Sequence, residues 1–125
     1  MNVTVDVSIG EYFDKMTILE IKRERIHHAD KLININKELD ALNVLLEMLP
    51  FSRDDVAEEV SELKAINEKL WVVEDDIRDK EAAKTFDQDF IELARSVYIT
   101  NDRRSDVKRK INIKLGSSFI EEKSY

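Results

Sequence analysis

The sequence predicts an all-α protein, an antiparallel four-helix bundle whose third and fourth helices form a long hairpin. Three observations predict it. Gly occurs twice and Pro once in 125 residues, whereas turn-rich β folds need far more of both. Apolar residues recur at spacings of three and four through most of the chain. Breaks in that pattern fall at four places, near Ser8, His27–Asp30, Pro50–Ser52 and Lys84–Asp87. A single helical domain over 1–125 follows, because the chain is long enough for one core and too short for two.

Residues 2–7, NVTVDV, alternate Val3, Val5 and Val7 and read as a short extended segment. Ser8 and Glu11 have capping-box spacing and open a first helix that reaches about Ile26. The HHAD stretch breaks it, and Asp30 is placed to cap a second helix striped by Leu32, Ile35, Leu39, Leu42, Leu46 and Leu49. Pro50 stops that helix. Ser52 caps the third, with Asp54 and Asp55 in its first turn, where acids suit the helix dipole. It runs to about Ala83. KTFD separates it from the fourth, which continues to Leu115, and Gly116 supplies a C-terminal stop. Short connections imply up-down neighbours. Both chain ends then lie at one end of the bundle. Val3, Val5, Phe119 and Ile120 need cover there, so segments 2–7 and 117–125 are expected to be ordered and in contact, with a small two-stranded pair as one form of that contact.

Composition excludes several functions. Without cysteine there is no disulfide, thiol catalysis or Cys-ligated zinc. A net charge of −7 argues against general nucleic-acid binding, which rests on neutralising phosphates. No apolar run approaches a membrane span, and MNVTVDVSIG lacks a signal-peptide pattern, so a cytoplasmic protein without membrane contact is expected. No cofactor or metal is expected. His27 and His28 are adjacent in a turn, whereas helical metal-binding histidines need i, i+3 or i, i+4 spacing. Glu59 with Glu62 and Asp76 with Asp79 have the spacing of the acidic pairs of helical pyrophosphohydrolases, but all four lie on one continuous helix and cannot converge in one chain. Ser117 and Ser118 have no histidine nearby in sequence to activate them.

The informative positions are polar residues on faces that should be buried. Wound at about 100° per residue, Asn101, Arg104, Lys108 and Asn112 share a face with Phe90, Val97 and Leu115. On the third helix, Asn67, Glu74 and Glu81 lie near the stripe Val56, Leu63, Leu70 and Ile77, with Trp71 and Arg78 at its edge. In a hairpin, residues of these two helices whose numbers sum to about 170 lie level. A first helix parallel to the third brings Lys22 level with Asn67 and Arg104, and Lys15 level with Lys108. Lys15, Lys22, Asn67, Glu74, Asn101, Arg104, Lys108 and Asn112 therefore form a candidate ligand-binding cluster, with Asp14 and Glu20 available to balance its charge. An unpaired buried polar group costs on the order of 1–3 kcal/mol. The cluster is either an internal ion-pair network or a cleft for a small phosphate- or carboxylate-bearing ligand.

Four blocks, VSIGEYFDKMTILEIKRERI, ELKAINEKLWVVEDDIRDKE, FIELARSVYITNDRRSDVKRKIN and GSSFIEEKSY, resemble an uncharacterised domain-of-unknown-function family of bacteria and marine phages (DUF6165-like). The resemblance covers about three quarters of the chain and is weakest over 27–61; TNDRR and EEKSY are its specific parts. It implies no activity, cofactor or catalytic residue. It does place the polar positions above inside the family's blocks.

Unequal helix lengths carry a further expectation. The first two helices, about 19 residues each, span roughly 28 Å, and the last two, about 30 each, roughly 45 Å. With the second helix packed back along the third, the hairpin projects beyond Trp71 by about 17 Å. The projection carries Trp71, Val73, Ile77, Phe86, Phe90 and Val97, an apolar surface that monomers rarely leave in water. A homodimer through those residues is expected, about a two-fold axis. Two functional readings follow: a non-enzymatic interaction or scaffold protein acting as that homodimer, or a binding module or enzyme for a small anionic metabolite between helices 1, 3 and 4.

Overall fold

The computed structural model describes residues 1–124. It contains α1 (Ile9–Arg25), α2 (Ala29–Glu47), α3 (Ala57–Ala82) and α4 (Gln88–Leu115), with a 3-10 turn at Arg53–Val56 leading into α3. No strand forms among the described residues. The architecture is the expected all-α bundle with an α3–α4 hairpin.

The caps set the boundaries. Ser8 Oγ accepts from the Glu11 N–H at 3.0 Å. The reciprocal half of that capping box is not made, because the Glu11 carboxylate accepts from Lys108 at 2.6 Å. Asp30 does not cap α2. The cap position is His28, and Asp30 lies in the first turn, where its charge still complements the dipole. The Ser52 N–H donates to Asp55 at 2.8 Å before α3. Lys84, at φ 55°, closes α3, and Thr85 N–H reaches back to the Lys80 carbonyl at 2.9 Å. Asp87 then accepts from Phe90 N–H at 3.0 Å and starts α4. Gly116 ends it at φ 69°, with Ser117 N–H donating to the Asn112 carbonyl at 2.8 Å.

The central helix is α1. The α3–α4 hairpin packs on one side of it, and α2 packs mainly against α1 rather than along α3. This position explains why α1 is apolar on two sides: Phe13, Met16, Leu19 and Ile21 are all buried. The helix also runs across the hairpin instead of parallel to α3. Its first turn meets α4, where Gly10 N–H donates to Asn112 Oδ1 at 2.6 Å. Its last turns meet α3, where Lys64 pairs with Glu24 at 2.7 Å. The crossing is close at Gly10, where a Cβ would stand 2.5 Å from the Lys108 carbonyl oxygen. The hairpin register matches expectation, since Lys114 pairs with Glu59 at 3.1 Å.

Burial is concentrated at one end. Phe13, Met16, Leu39, Val56, Leu63 and Ile111 are each 0% exposed and belong to one core. Val73 on α3 and Thr100 on α4 are the last buried residues toward the hairpin tip, and every residue from 74 to 99 is half-buried or exposed.

The two chain ends share that core end, but they do not pair as strands. Residues 2–7 form no regular secondary structure, and Val3, Val5 and Val7 are exposed, as are Phe119 and Ile120. The tail is instead drawn back along α4. Arg109 donates to Glu122, Lys123 donates to the Asp102 carbonyl at 3.1 Å, and Lys108 stands 3.7 Å from Glu121. The two ends still come together beside α1, where residues 4–7 and 116–119 border one pocket with Tyr12. Ile9 N–H donates to Ser117 Oγ at 3.2 Å and Ser8 Oγ donates to Glu121 at 3.1 Å. Tyr125, the last residue of the EEKSY block, lies outside the described residues.

Candidate functional site

Of the eight polar residues expected to converge, seven fall into three groups and Lys15 stands apart. Arg104 and Asn67 meet on Asp14, which is 1% exposed. The Arg104 guanidinium donates through Nε to Asp14 Oδ1 at 2.8 Å and through Nη2 to Oδ2. Asn67 Nδ2 donates to Asp14 Oδ1 at 3.0 Å and to Thr17 Oγ1 at 3.0 Å. This two-pronged bond raises the pKa of Arg104 despite burial, which lowers it. Asp14 thus does what a buried carboxylate requires: its charge is matched and its lone pairs are used.

The second group lies where α4 meets the start of α1. Lys108 is 9% exposed and pairs with Glu11. Asn112 is fully buried; its oxygen accepts from Gly10, while its Nδ2 has no partner among the described residues. Lys15 belongs to neither group. It projects toward α2, half-exposed, and pairs with Glu38 at 2.7 Å. A crossing α1 puts Asp14, not Lys22, opposite Asn67 and Arg104. The next residue, Lys15, is then about 100° round the helix and faces away from the hairpin.

The third group lines a cleft of about 450 Å³ between α1, α3 and α4, at the point where the core ends. Lys22, Glu74 and Asn101 stand in its walls, and Asn67 and Arg104 reach it from the network below. Ile18, Leu70 and Trp71 form the apolar wall. Arg78 lies at the rim, 3.3 Å from Glu74. Among the described residues, no carboxylate stands within ion-pair distance of Lys22, although its side chain is half-buried. Five of the eight residues therefore share this cleft, and Lys15, Lys108 and Asn112 do not.

Glu20, the other acid considered for balance, serves elsewhere. Arg53 donates to both its oxygens, at 2.7 and 3.1 Å. Burial pushes the Glu20 pKa up, but the hydrogen bond and charge of Arg53, with Lys64 and Arg23, outweigh it and hold it below its usual value. Sequence reasoning missed Arg53 because it precedes α3 in a 3-10 turn and has no helical phase to read.

Of the residues expected at an interface between copies, Val73 is already buried by its own chain. Trp71, Ile77, Phe90 and Val97 are half-buried and Phe86 is exposed. Phe86 and Phe90 stack edge to face at the tip, with ring centres 5.2 Å apart. Among the described residues, no group of three or more His, Cys, Asp or Glu side chains is placed to hold a metal ion, and no helix is long and apolar enough to cross a membrane.

No curated protein and no solved structure matches the chain. The chain does match the model of the Family of unknown function (DUF6165) over residues 3–125, and it belongs to that family.

Proposed function

We propose that this family member is a non-enzymatic interaction protein that works as a homodimer, joined through the outer part of the α3–α4 hairpin in a cytoplasmic setting. One observation carries the reading. From residue 74 to residue 99 the hairpin holds no side chain away from solvent, yet this stretch contains Ile77, Phe86, Phe90, Ile91, Leu93, Val97, Tyr98 and Ile99. A two-helix ribbon has too few neighbours to cover such a surface, and apolar area left in water forfeits roughly 25 cal/mol per Å². A second copy presents the same surface, so two hairpins laid together about a two-fold axis close it as a second four-helix bundle. The tail is held along 102–109 of α4 and α2 lies on α1, and among the described residues the stretch 74–99 stays half-buried or exposed. Sedimentation at micromolar concentration is expected to give twice the chain mass, and Phe90→Asp to give the single-chain mass. A wild-type monomer at that concentration rejects the proposal.

A second reading is favoured by a different observation. Lys22 is a half-buried cation with no carboxylate partner among the described residues, in a cleft walled by a single chain. Under this reading the cleft binds a small phosphate- or carboxylate-bearing molecule. Phosphate should then raise the melting temperature beyond the effect of chloride at equal ionic strength. The readings are compatible, because the cleft needs no residue from a partner.

A further inference from the structure

The cleft's charges narrow its ligand to one class. One edge of the Arg104 guanidinium, Nε with Nη2, is taken by Asp14, which leaves only its outer edge for a ligand and ties its charge to a buried carboxylate. On that outer edge Nη1 has a long contact to Asn101 Oδ1, at 3.4 Å, and Arg104 lines the cleft. Arg78 is matched by Glu74. Counting the buried Asp14, the cleft sets Lys22, Arg78 and Arg104 against Asp14, Glu74 and Asp75. The cations and carboxylates are equal in number, and among the described residues Lys22 is the cation, and Asp75 the acid, without a partner at ion-pair distance. A dianion would meet one unmatched cation while facing Glu74 and Asp75, an arrangement that like-charge repulsion opposes. One negative charge on Lys22, with Arg104 Nη1 as a second donor, is what the cleft accommodates.

The rest of the wall describes the rest of the ligand. Ile18, Leu70 and the Trp71 ring give the cleft an apolar side, which favours a hydrophobic body over a bare inorganic ion. Asn67 is only 6% exposed and uses its amide nitrogen on Asp14 and Thr17. Among the described residues its side-chain oxygen accepts no hydrogen bond, and the residue lines the cleft.

We infer that the cleft between α1, α3 and α4 binds a small monoanionic carboxylate with an apolar body, its carboxylate on Lys22 and Arg104 Nη1 and its body against Trp71. This rests on the anion reading of the cleft, whose rim residues Glu74, Asp75 and Arg78 border the stretch proposed to pair.

Trp71 is the chain's single tryptophan, so its fluorescence reports from the cleft wall. Cyclohexanecarboxylate, which does not absorb where tryptophan is excited, is titrated into the full-length chain at neutral pH. Inorganic phosphate at matched ionic strength and the uncharged cyclohexanecarboxamide form the other arms. The carboxylate is expected to give a saturable change with a midpoint on the order of millimolar, as befits so small a probe. The amide, and the carboxylate on Lys22→Met, should bind at least about tenfold more weakly, the loss of one charged hydrogen bond. Lys22→Arg should restore binding. Circular dichroism of both variants separates loss of the site from loss of the fold. Saturation by phosphate with none by the carboxylate overturns this inference while leaving an anion site. Saturation by neither probe overturns both. Equal binding of the amide, or of Lys22→Met, also overturns it.

Discussion

The two ends of the α3–α4 hairpin are made of similar residues and live in different surroundings. At the inner end, α1 crosses both helices and buries Leu63, Ile66, Asn67, Val107 and Ile111. At the outer end, the same two helices carry Ile77, Phe90, Leu93 and Val97 on comparable spacings and bury none of them fully. Apolar periodicity is therefore a property of the sequence, while burial depends on a third element arriving. Polar residues divide in the same way. Asp14, Arg104 and Asn67 are locked together beneath α1, whereas Glu74 and Arg78, further out, form an exposed pair one turn apart. Such exposed pairs contribute roughly 0.3–0.5 kcal/mol.

The largest expected break in this contrast is Arg104→Met. It strands the Asp14 carboxylate in the core, and removing one partner of a buried pair costs on the order of 3–5 kcal/mol. Urea unfolding measures the loss. Adding Asp14→Asn should recover part of it, since the stranded charge is then gone. A loss of under about 1 kcal/mol in Arg104→Met would show that water reaches Asp14. This coupling also makes Arg104 a poor probe of ligand binding and Lys22 a better one.

Next is Gly10→Ala. In an ordinary helix the change is favourable by up to about 1 kcal/mol. Here the added methyl meets the Lys108 backbone oxygen, and overpacking against fixed backbone costs about 1–3 kcal/mol. A net destabilisation in thermal melts supports the close crossing of α1 and α4. Stabilisation contradicts it.

Hydrogen exchange sharpens the comparison without mutation. Amides over 60–72 and 101–112 are expected to exchange slowest, and those over 76–98 faster, in dilute protein. If two copies pair, protection over 76–98 rises with concentration while the inner end stays unchanged. Uniform protection along both helices at every concentration would erase the distinction.

The smallest effect concerns pH. Glu20 is held below its usual carboxyl value by Arg53 and Lys64, against the opposing effect of burial. A carboxyl whose folded pKa is lowered stabilises the fold fully above its unfolded value and loses that contribution as pH falls through the folded one. Glu20→Gln should therefore lower stability at neutral pH and narrow its gap to wild type as the pH falls below about 4.5. A gap that stays constant down to pH 2 would mean that the ion pair with Arg53 adds nothing.

Much of this could be read in the sequence, and the losses have identifiable causes. Helix number, the 84–87 break, the Gly116 stop and the hairpin register all follow from local signals or from arithmetic along two neighbouring helices. The polar network was half legible. Arg104 and Asn67 sit on inward phases that can be counted, and Asp14 was a visible candidate to balance them. The crossing direction of α1 was not legible, because residues on two apolar sides are equally consistent with a parallel and a diagonal helix. That ambiguity misplaced Lys15 and hid the role of Gly10. It also assigned α2 to the wrong neighbour. Asn112 was predicted inward, but its bond to the Gly10 amide links positions 102 residues apart, beyond any local signal.

That same bond bears on how the chain acquires its structure during synthesis. The first amides of α1 are satisfied by Asn112 and Ser117, residues near the other end of the chain. While a ribosome is still making α4, the start of α1 lacks those acceptors, and the core facing α4 stays open to solvent. The α1–α2 pair can associate early, but closure waits for the final helix. Contacts this distant in sequence make folding slower than a helical bundle's local content suggests. A chain stalled before residue 112 is thus held as a partly collapsed form with exposed apolar surface, the kind of species that chaperones retain.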